Sequence, residues 1–137
     1  MSNDSQIRVL VVDDENSIRK SLAGFLEDYD FNVSTASSAE EALALIKKES
    51  FHVGIIDLRL PSTSGDAFIL KAHKLQPAMR FLIHTGSSSF HLSRDLVQIG
   101  LRQTDIFLKP LSDMTVIVDT IIKMIKQRKE EGNSNAG

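Results

Sequence analysis

The chain of 137 residues is predicted to be an α/β protein with a doubly wound, five-stranded parallel sheet and five flanking helices. Short apolar runs alternate five times with stretches of helical period. Several runs are almost continuous in Val, Ile and Leu, which is typical of strands that are covered on both faces. The connections are short, and no second domain or internal repeat is visible. Together these observations predict consecutive βα units around a single sheet.

Each element follows from its own pattern. The strands are predicted at 8–12, 31–36, 52–58, 80–84 and 105–108. Helices between them are predicted from apolar residues at helical spacing, with Ser37 or Ser38 as an N-cap of the second helix. The apolar positions of the first four helices are Ile18, Leu22, Phe25, Leu26 and Tyr29, then Ala39, Ala42, Leu43 and Ile46, then Phe68, Ala72 and Leu75, then Leu92, Leu96 and Ile99. The last helix has the widest stripe, formed by Met114, Ile117, Val118, Ile121, Ile122 and Ile125.

Composition and charge indicate one globular domain. Residues 7–128 are assigned to it, and the polar ends 1–6 and 129–137 are predicted to be disordered. The formal net charge of −2 gives no general attraction to nucleic acid or to anionic membranes. The basic residues Lys123, Lys126, Arg128 and Lys129 are attributed to the dipole at a helix C-terminus rather than to nucleic-acid binding.

The expected location is the cytoplasm. The chain contains no Cys, so disulfides and thiolate sites are excluded. The polar N-terminus lacks a secretory signal, and no apolar run approaches the roughly 20 residues of a membrane span. No membrane contact is therefore expected.

Polar residues follow four of the predicted strands directly. The pair Asp13-Asp14 follows the first, and Asp57, Thr85 and Lys109 follow or end the third, fourth and fifth. Because the carboxyl ends of parallel strands meet at one edge of a sheet, these side chains are expected to converge. Three carboxylates, a hydroxyl and an ammonium together predict a site for Mg²⁺ and a phosphoryl group.

Simple chemistry divides the roles within this site. A carboxylate can serve as a nucleophile that forms a covalent aspartyl-phosphate, and Asp57 is placed for that role. The negative charge of Asp13 and Asp14 would repel a phosphate unless a divalent cation lay between the two carboxylates and the phosphate. Taken alone, Asp13 or Asp14 is more simply explained as a helix N-cap. Thr85 alone is explained as a loop residue and Lys109 alone as a solvated surface charge. Their joint occurrence at four strand ends favours the functional interpretation.

Four motifs carry a resemblance to a known family. They are Val11-Val12-Asp13-Asp14-Glu15, Asp57-Leu58-Arg59-Leu60-Pro61 with Gly65, Thr85-Gly86, and Lys109-Pro110. In these motifs the chain resembles a CheY-like response-regulator receiver domain of two-component signalling, over about residues 7–126. The resemblance implies a flavodoxin-like sheet of order 2-1-3-4-5 and a cis peptide bond before Pro110.

The resemblance also implies a mechanism. A sensor histidine kinase or histidine phosphotransfer protein would donate a phosphoryl group to Asp57 and so alter a surface that binds an unidentified downstream protein. Asp14, Asp57 and the backbone carbonyl of Arg59 would bind Mg²⁺ directly, and Asp13 would act mainly through water. Lys109 and the Thr85 hydroxyl would contact phosphoryl oxygens. The chain would thus be a switch rather than a turnover enzyme, although it would assist its own phosphorylation and dephosphorylation.

Two departures from the family pattern lie near the fifth strand. The aromatic residue usual three positions before the Lys is replaced by Ile106, and Phe107 follows it. Because successive strand residues point to opposite faces, Phe107 is not expected to substitute without a change of register. The preceding segment 100–105 is also longer than usual. These differences motivate the hypothesis that the segment 86–107 moves in a modified way upon phosphorylation.

Other functions fit the sequence less well. An aspartate-nucleophile phosphatase would need a second acid two residues after Asp57, where Arg59 stands. A dinucleotide or phosphate-loop enzyme is excluded because no Gly-rich loop follows the first strand. The four histidines match no metal-ligand spacing. An interaction module that is not phosphorylated stays open because of Ile106, and so does a homodimer, to which Val116 could contribute.

Overall fold

The protein is described by a computed structural model that covers the backbone of residues 6–136 and the side chains of residues 6–127. Its elements in chain order are β1 Arg8–Val12, α1 Asn16–Glu27, β2 Asn32–Ala36, α2 Ala39–Lys48, β3 Val53–Ile56, α3 Gly65–Leu75, β4 Arg80–Thr85, α4 Arg94–Gln98, β5 Ile106–Leu108 and α5 Thr115–Ala136. All neighbouring strands are parallel, in the order β2-β1-β3-β4-β5. The predicted fold class and strand order are confirmed.

The sheet separates two hydrophobic cores, which explains why the strands are apolar on both faces. One core lies under α2, α3 and α4 and includes Phe68, Ile69, Ala72 and Leu96. The other lies under α1 and α5 and includes Leu22, Leu26, Ile117 and Ile121. Alternate residues of each strand supply the two sides, since Leu10 and Val12 belong to the first core whereas Val9 and Val11 belong to the second.

Three predicted apolar positions are exposed instead of buried. Tyr29 and Leu75 are each 46% exposed and Ile122 is 39% exposed. Tyr29 lies beyond the end of α1, and Leu75 is the last residue of α3, so neither is held against the sheet. Ile122 follows Ile121 by one helical step of about 100°, which turns it away from the core. α4 contains five residues, so Leu92 precedes the helix rather than belonging to it.

The last helix continues to Ala136, beyond the predicted domain limit at residue 128. Lys123 and Lys126 therefore lie inside the helix, and the explanation that placed them at its C-terminal end is wrong. The predicted disordered tail at 129–137 falls on residues whose side chains are outside the described part of the chain. The predicted disordered N-terminus at 1–6 lies outside the described residues except for Gln6, whose side-chain amide donates to the carbonyl oxygen of Asp30 at 3.3 Å. Within residues 6–136, no helix has the length and apolar character that a membrane crossing requires.

Backbone hydrogen bonds continue past the strand ends and fix the positions of the polar residues that follow. The N–H of Asp13 donates to the carbonyl oxygen of Ala36 at 3.1 Å, and that of Asp57 donates to Val12 at 2.9 Å. The N–H of Lys109 donates to the carbonyl oxygen of Thr85 at 2.7 Å. The sheet thus holds the start of each loop in register and brings these residues to one edge.

Candidate functional site

Three carboxylates meet where β1 and β3 end. Asp13, Asp14 and Asp57 each place a carboxylate oxygen within 4.8 Å of the others. Asp13 and Asp57 are buried, with 2% and 4% of their surface exposed, whereas Asp14 is exposed. Clustered carboxylate oxygens, one of them open to solvent, suit a hard divalent cation that retains several waters, as Mg²⁺ does. The residues therefore fit the cation that the sequence predicted.

The acidic pair does not cap the helix that follows it. The N-cap of α1 is Glu15, which makes no capping bond with its side chain. Instead, Oδ1 of Asp13 accepts the N–H of Glu15 at 2.9 Å. Likewise, Oδ1 of Asp57 accepts the N–H of Arg59 at 3.1 Å. These local bonds orient the carboxylates within the loops and leave the capping alternative without support.

Lys109 connects the fifth strand to the acidic cluster. Its Nζ lies 3.0 Å from Oδ2 of Asp13, 3.3 Å from Oε1 of Glu15 and 3.4 Å from Oδ2 of Asp57. Burial disfavours the charge of this ammonium, but the hydrogen bond to Asp13 and the charges of Asp13 and Asp57 outweigh it and raise the pKa of Lys109. Lys109 is therefore a permanent positive charge at this edge of the sheet.

The environment of Asp57 opposes its ionisation. Burial raises the pKa of Asp57, and the neighbouring charge of Asp13 adds to this effect. The hydrogen bond from Arg59 and the charge of Lys109 act in the opposite direction but do not cancel it. Asp57 is thus a carboxylate held in a low-dielectric, electronegative setting, where an additional cation would be bound favourably.

The remaining predicted residues lie at the same edge. Asp14, Asp57, Arg59 and Lys109 line a cleft of 300 Å³. Thr85 is 1% exposed, and its Oγ1 accepts the N–H of Ser87 at 3.1 Å. The peptide bond before Pro110 is cis, as the resemblance implied.

Gly65 allows the loop after Asp57 to fold back tightly. Its N–H donates to the carbonyl oxygen of Leu58 at 2.9 Å, and an added Cβ would lie 2.8 Å from both the Asp57 carbonyl oxygen and the Leu58 Cα. Gly65→Ala is therefore expected to lower the free energy of unfolding by about 1–3 kcal/mol, because backbone atoms would have to move. Chemical denaturation measures the change.

Gly24→Ala is the matched control for that substitution. Gly24 lies inside α1, and an added Cβ would meet no atom within 4 Å. The free energy of unfolding is expected to rise by up to about 1 kcal/mol, because alanine has the higher helix propensity. Equal effects at the two glycines would contradict the assignment of a special role to Gly65.

Ile106 and Phe107 point to opposite sides of the sheet, as expected. Ile106 packs against the core under α2, α3 and α4, whereas Phe107 packs against the core under α1 and α5. In register, Ile106 pairs with Ile83 and Phe107 pairs with His84. Phe107, the aromatic residue of β5, therefore lies on the opposite face of the sheet from Ile106, which occupies the usual aromatic position.

Two residues near the site were not assigned a role from the sequence. Glu15 makes an ion pair with Lys109, and the only available signal was its place directly after the acidic pair. His84 is 7% exposed, and both its ring nitrogens lack a hydrogen-bond partner among the described residues. Burial, followed by the charge of Lys109, lowers the pKa of His84. No sequence pattern marks such a histidine.

Comparison with known proteins identifies the family. The sequence matches the response regulator receiver domain over residues 9–126. The chain belongs to this family. The match confirms the predicted resemblance. Receiver domains act in two-component systems as phosphorelay signalling domains rather than as classical enzymes.

Curated relatives of this receiver domain are considerably longer. The alginate biosynthesis transcriptional regulatory protein AlgB of Pseudomonas aeruginosa is 35% identical over 111 residues, which are 81% of this chain and 24% of that protein. The transcriptional regulatory protein ZraR of Salmonella typhimurium is 31% identical over 127 residues, which are 93% of this chain and 28% of that protein. The receiver domain thus spans about a quarter of the length of these relatives.

Solved structures share its fold. A CheY-like receiver domain protein from Methanospirillum hungatei is 31% identical, with a TM-score of 0.74 over 92% of this chain and 99% of that one. A protein described as adenylate cyclase from Rhodopirellula baltica is 32% identical, with a TM-score of 0.79 over 96% of each chain. The likeness therefore covers the receiver fold nearly from end to end.

A pH prediction follows from the raised pKa of Asp57. The folded state holds the proton of Asp57 more tightly than the unfolded state, so its ionisation costs stability as the pH rises above the unfolded value. Without divalent cations, Asp57→Asn is expected to raise the free energy of unfolding at neutral pH, on the order of 1 kcal/mol. The gain should shrink as the pH falls toward 4. Chemical denaturation of the wild type and the variant between pH 4 and pH 8 in EDTA measures this difference in the free energy of unfolding. A difference that does not change with pH would show that the ionisation of Asp57 is not its cause.

Proposed function

We propose that this receiver domain is a phosphoacceptor switch in which Asp57 receives a phosphoryl group from a phosphohistidine. The donor is a sensor histidine kinase or a histidine phosphotransfer protein. One observation carries the proposal: Lys109 Nζ lies within 3.4 Å of the Asp57 carboxylate, beside a cluster of three carboxylates that fits a divalent cation. A positive side chain and a cation site around one buried carboxylate are what transfer of an anionic phosphoryl group requires.

The reaction exchanges one bond to phosphorus for another. A carboxylate oxygen of Asp57 attacks the phosphorus atom, the bond from phosphorus to the donor imidazole breaks, and an aspartyl-phosphate forms. The bond from the Arg59 N–H and the contact with Lys109 hold the two oxygens of Asp57 in fixed directions. This orientation reduces the entropy that must be lost when the donor arrives.

The acidic cluster supplies the cation site. Asp14, Asp57 and the backbone carbonyl of Arg59 would hold Mg²⁺ directly, and Asp13 would act through water. When bound, the cation neutralises charge on the phosphoryl oxygens. Asp13 is already paired with Lys109 at 3.0 Å, which agrees with an indirect role for its carboxylate.

Lys109 and Thr85 would contact the phosphoryl oxygens of the product. Lys109 is held between Asp13, Glu15 and Asp57, so a bound phosphoryl group competes with these carboxylates for its ammonium. The Thr85 hydroxyl would donate to a second oxygen while it continues to accept the N–H of Ser87, because a hydroxyl can donate and accept at once. The loop after β4 would move together with Thr85.

Output would arise from a change in the segment 86–107. The added phosphate charge biases a two-state surface toward the form that binds a downstream protein. Because Ile106 replaces the usual aromatic residue, this segment is expected to move differently from that of other receivers. Structures determined with and without beryllofluoride, a phosphoryl mimic, test this hypothesis, and a segment that stays fixed would refute it.

The downstream partner is a protein, and the domain itself would not contact nucleic acid or a membrane. The relatives named above are transcriptional regulators, in which the matching region is about a quarter of the protein. The proposed setting is the cytoplasm. A homodimer is included in the proposal because Val116 and Val97 expose apolar surface on α5 and α4, at 39% and 53%.

Intact-mass measurement tests the function directly. The protein is incubated with Mg²⁺ and a small phosphodonor such as acetyl phosphate, and the same reaction is run in EDTA. The expected result is one added phosphoryl group with Mg²⁺ and none in EDTA. If no group is added while a receiver of known activity reacts, the second candidate is favoured: an interaction module that is not phosphorylated. The position of Phe107 on the face opposite to Ile106 is the observation that supports this alternative.

A further inference from the structure

A second hollow lies next to the phosphoacceptor cleft. It has a volume of 630 Å³ and opens between α1 and the segment that leads into α5. Ile18 and Leu22 of α1 form one apolar wall, and Leu111 and Met114 form the other. Asp57 is not among the lining residues, so this cavity is separate from the carboxylate cluster. Its volume is within the usual range for sites that bind small organic molecules.

His84 is the most buried polar group in the wall of this cavity, which the exposed Ser17 and Ser21 of α1 also line. Its ring lies at the end of β4, beside Phe107 in the neighbouring strand, and is 93% buried. Both ring nitrogens are shielded from solvent and make no hydrogen bond within the described residues. Burial and the charge of Lys109 favour the neutral ring, which carries one N–H donor and one acceptor nitrogen. Such groups are nearly always paired, because leaving them unpaired is costly.

From this geometry we infer that the cavity between α1 and the segment leading into α5 binds a small neutral molecule with an apolar body and a hydroxyl group that pairs with His84. The walls formed by Ile18, Leu22, Leu111 and Met114 would cover the apolar body. A hydroxyl can both donate and accept, so it can pair with either imidazole nitrogen. Binding would include rotation of the ring about its Cβ–Cγ bond, a torsion that is broad for histidine, to bring one nitrogen to the cavity.

Charges at the rim select a neutral ligand. Glu15 and Lys109 both line the cavity, and they are paired with each other at 3.3 Å. Because these two charges compensate each other, the rim gives no net attraction to an anion or to a cation. A neutral hydroxyl compound leaves the ion pair intact. The inference does not depend on phosphorylation of Asp57.

Nuclear magnetic resonance with two matched probes tests the site. The full 137-residue chain, labelled with ¹⁵N, is titrated with phenol and, in parallel, with toluene, which lacks the hydroxyl. Phenol is expected to cause saturable shifts at the amides of Ile18, Leu22, Leu111 and Met114 and at an imidazole nitrogen of His84. It should bind about threefold to tenfold more tightly than toluene, which corresponds to one hydrogen bond.

His84→Leu is the variant that isolates the hydrogen bond. It keeps an apolar side chain in the cavity wall, so both probes should still bind. Phenol and toluene should then bind with about equal affinity. His84→Gln, which retains a donor and an acceptor, should restore part of that preference. The ¹⁵N shift of the wild-type imidazole decides the question even if neither variant folds.

Several outcomes would overturn the inference. Equal affinity of the wild type for phenol and toluene would show that His84 makes no bond to the ligand. Unchanged preference in His84→Leu would place the hydroxyl elsewhere. The amide resonances of the cavity residues could also stay unchanged with both probes and shift only when a phosphodonor protein is added. That result would identify the hollow as part of a protein interface instead.

Discussion

Replacement of Asp57 by asparagine is expected to abolish phosphoryl transfer to the chain. The amide retains the size of the side chain and can still accept the N–H of Arg59, which Oδ1 now accepts at 3.1 Å. It is, however, a poor nucleophile and cannot form an acyl phosphate. Intact mass after incubation with acetyl phosphate and Mg²⁺ should therefore show no adduct under conditions that modify the wild type completely.

Asp66→Asn provides the matched control. Burial raises the pKa of Asp66 as it does that of Asp57, but Asp66 lies in the first turn of α3 and is not part of the carboxylate cluster. This variant should accept one phosphoryl group as the wild type does. Residual modification of the Asp57 variant, located by peptide mapping to Asp13 or another carboxylate, would contradict the assignment of the acceptor.

Replacement of Lys109 by methionine is expected to slow phosphorylation by about a hundredfold to a thousandfold, as for other preorganised charge-stabilising groups. Methionine keeps much of the length of the side chain but removes the charge that lies 3.4 Å from the Asp57 carboxylate. The developing charge on the phosphoryl oxygens would then lack its protein counter-charge. Time courses of intact mass with and without the substitution measure the rate.

The same substitution should also lower stability when no divalent cation is present. Asp13 and Asp57 are buried and would lose their shared positive partner, at a cost of about 1–3 kcal/mol. Mg²⁺ should restore part of this loss in chemical denaturation. Lys74→Met is the control, because Lys74 is exposed on α3. A Lys109 variant that reacts at the rate of this control would refute the role of the ammonium.

The fold was predictable because its signals are local and repeated. Runs such as Val9 to Val12 are apolar at every position, and the structure gives the reason: alternate residues enter the two cores on either side of the sheet. The convergence of Asp13, Asp57 and Lys109 followed from topology alone, since parallel strands end at one edge. Helical spacing did not predict that Leu75 would be exposed, because its burial depends on where α3 ends against its neighbours.

Features that depend on side-chain packing were beyond sequence reasoning. The contact of Lys109 with Glu15 joins residues that are remote in the chain and requires a particular conformation of both side chains. The burial of His84 without a hydrogen-bond partner among the described residues depends on how α1 and the segment 109–114 lie near the end of β4. Ile106, by contrast, could be recognised as unusual from its position before Lys109, and the opposite orientation of Phe107 followed from strand geometry.

Lys109 is a common boundary of the two hollows, because it lines both the acidic cleft and the cavity beneath α1. Glu15 and Gly86 are shared in the same way. Any occupant that displaces this ammonium on one side changes the electrostatic free energy on the other. A phosphoryl group that draws Lys109 away from Glu15 in the cleft would therefore change affinity in the cavity, and by thermodynamic linkage an occupant of the cavity would change affinity in the cleft by the same factor.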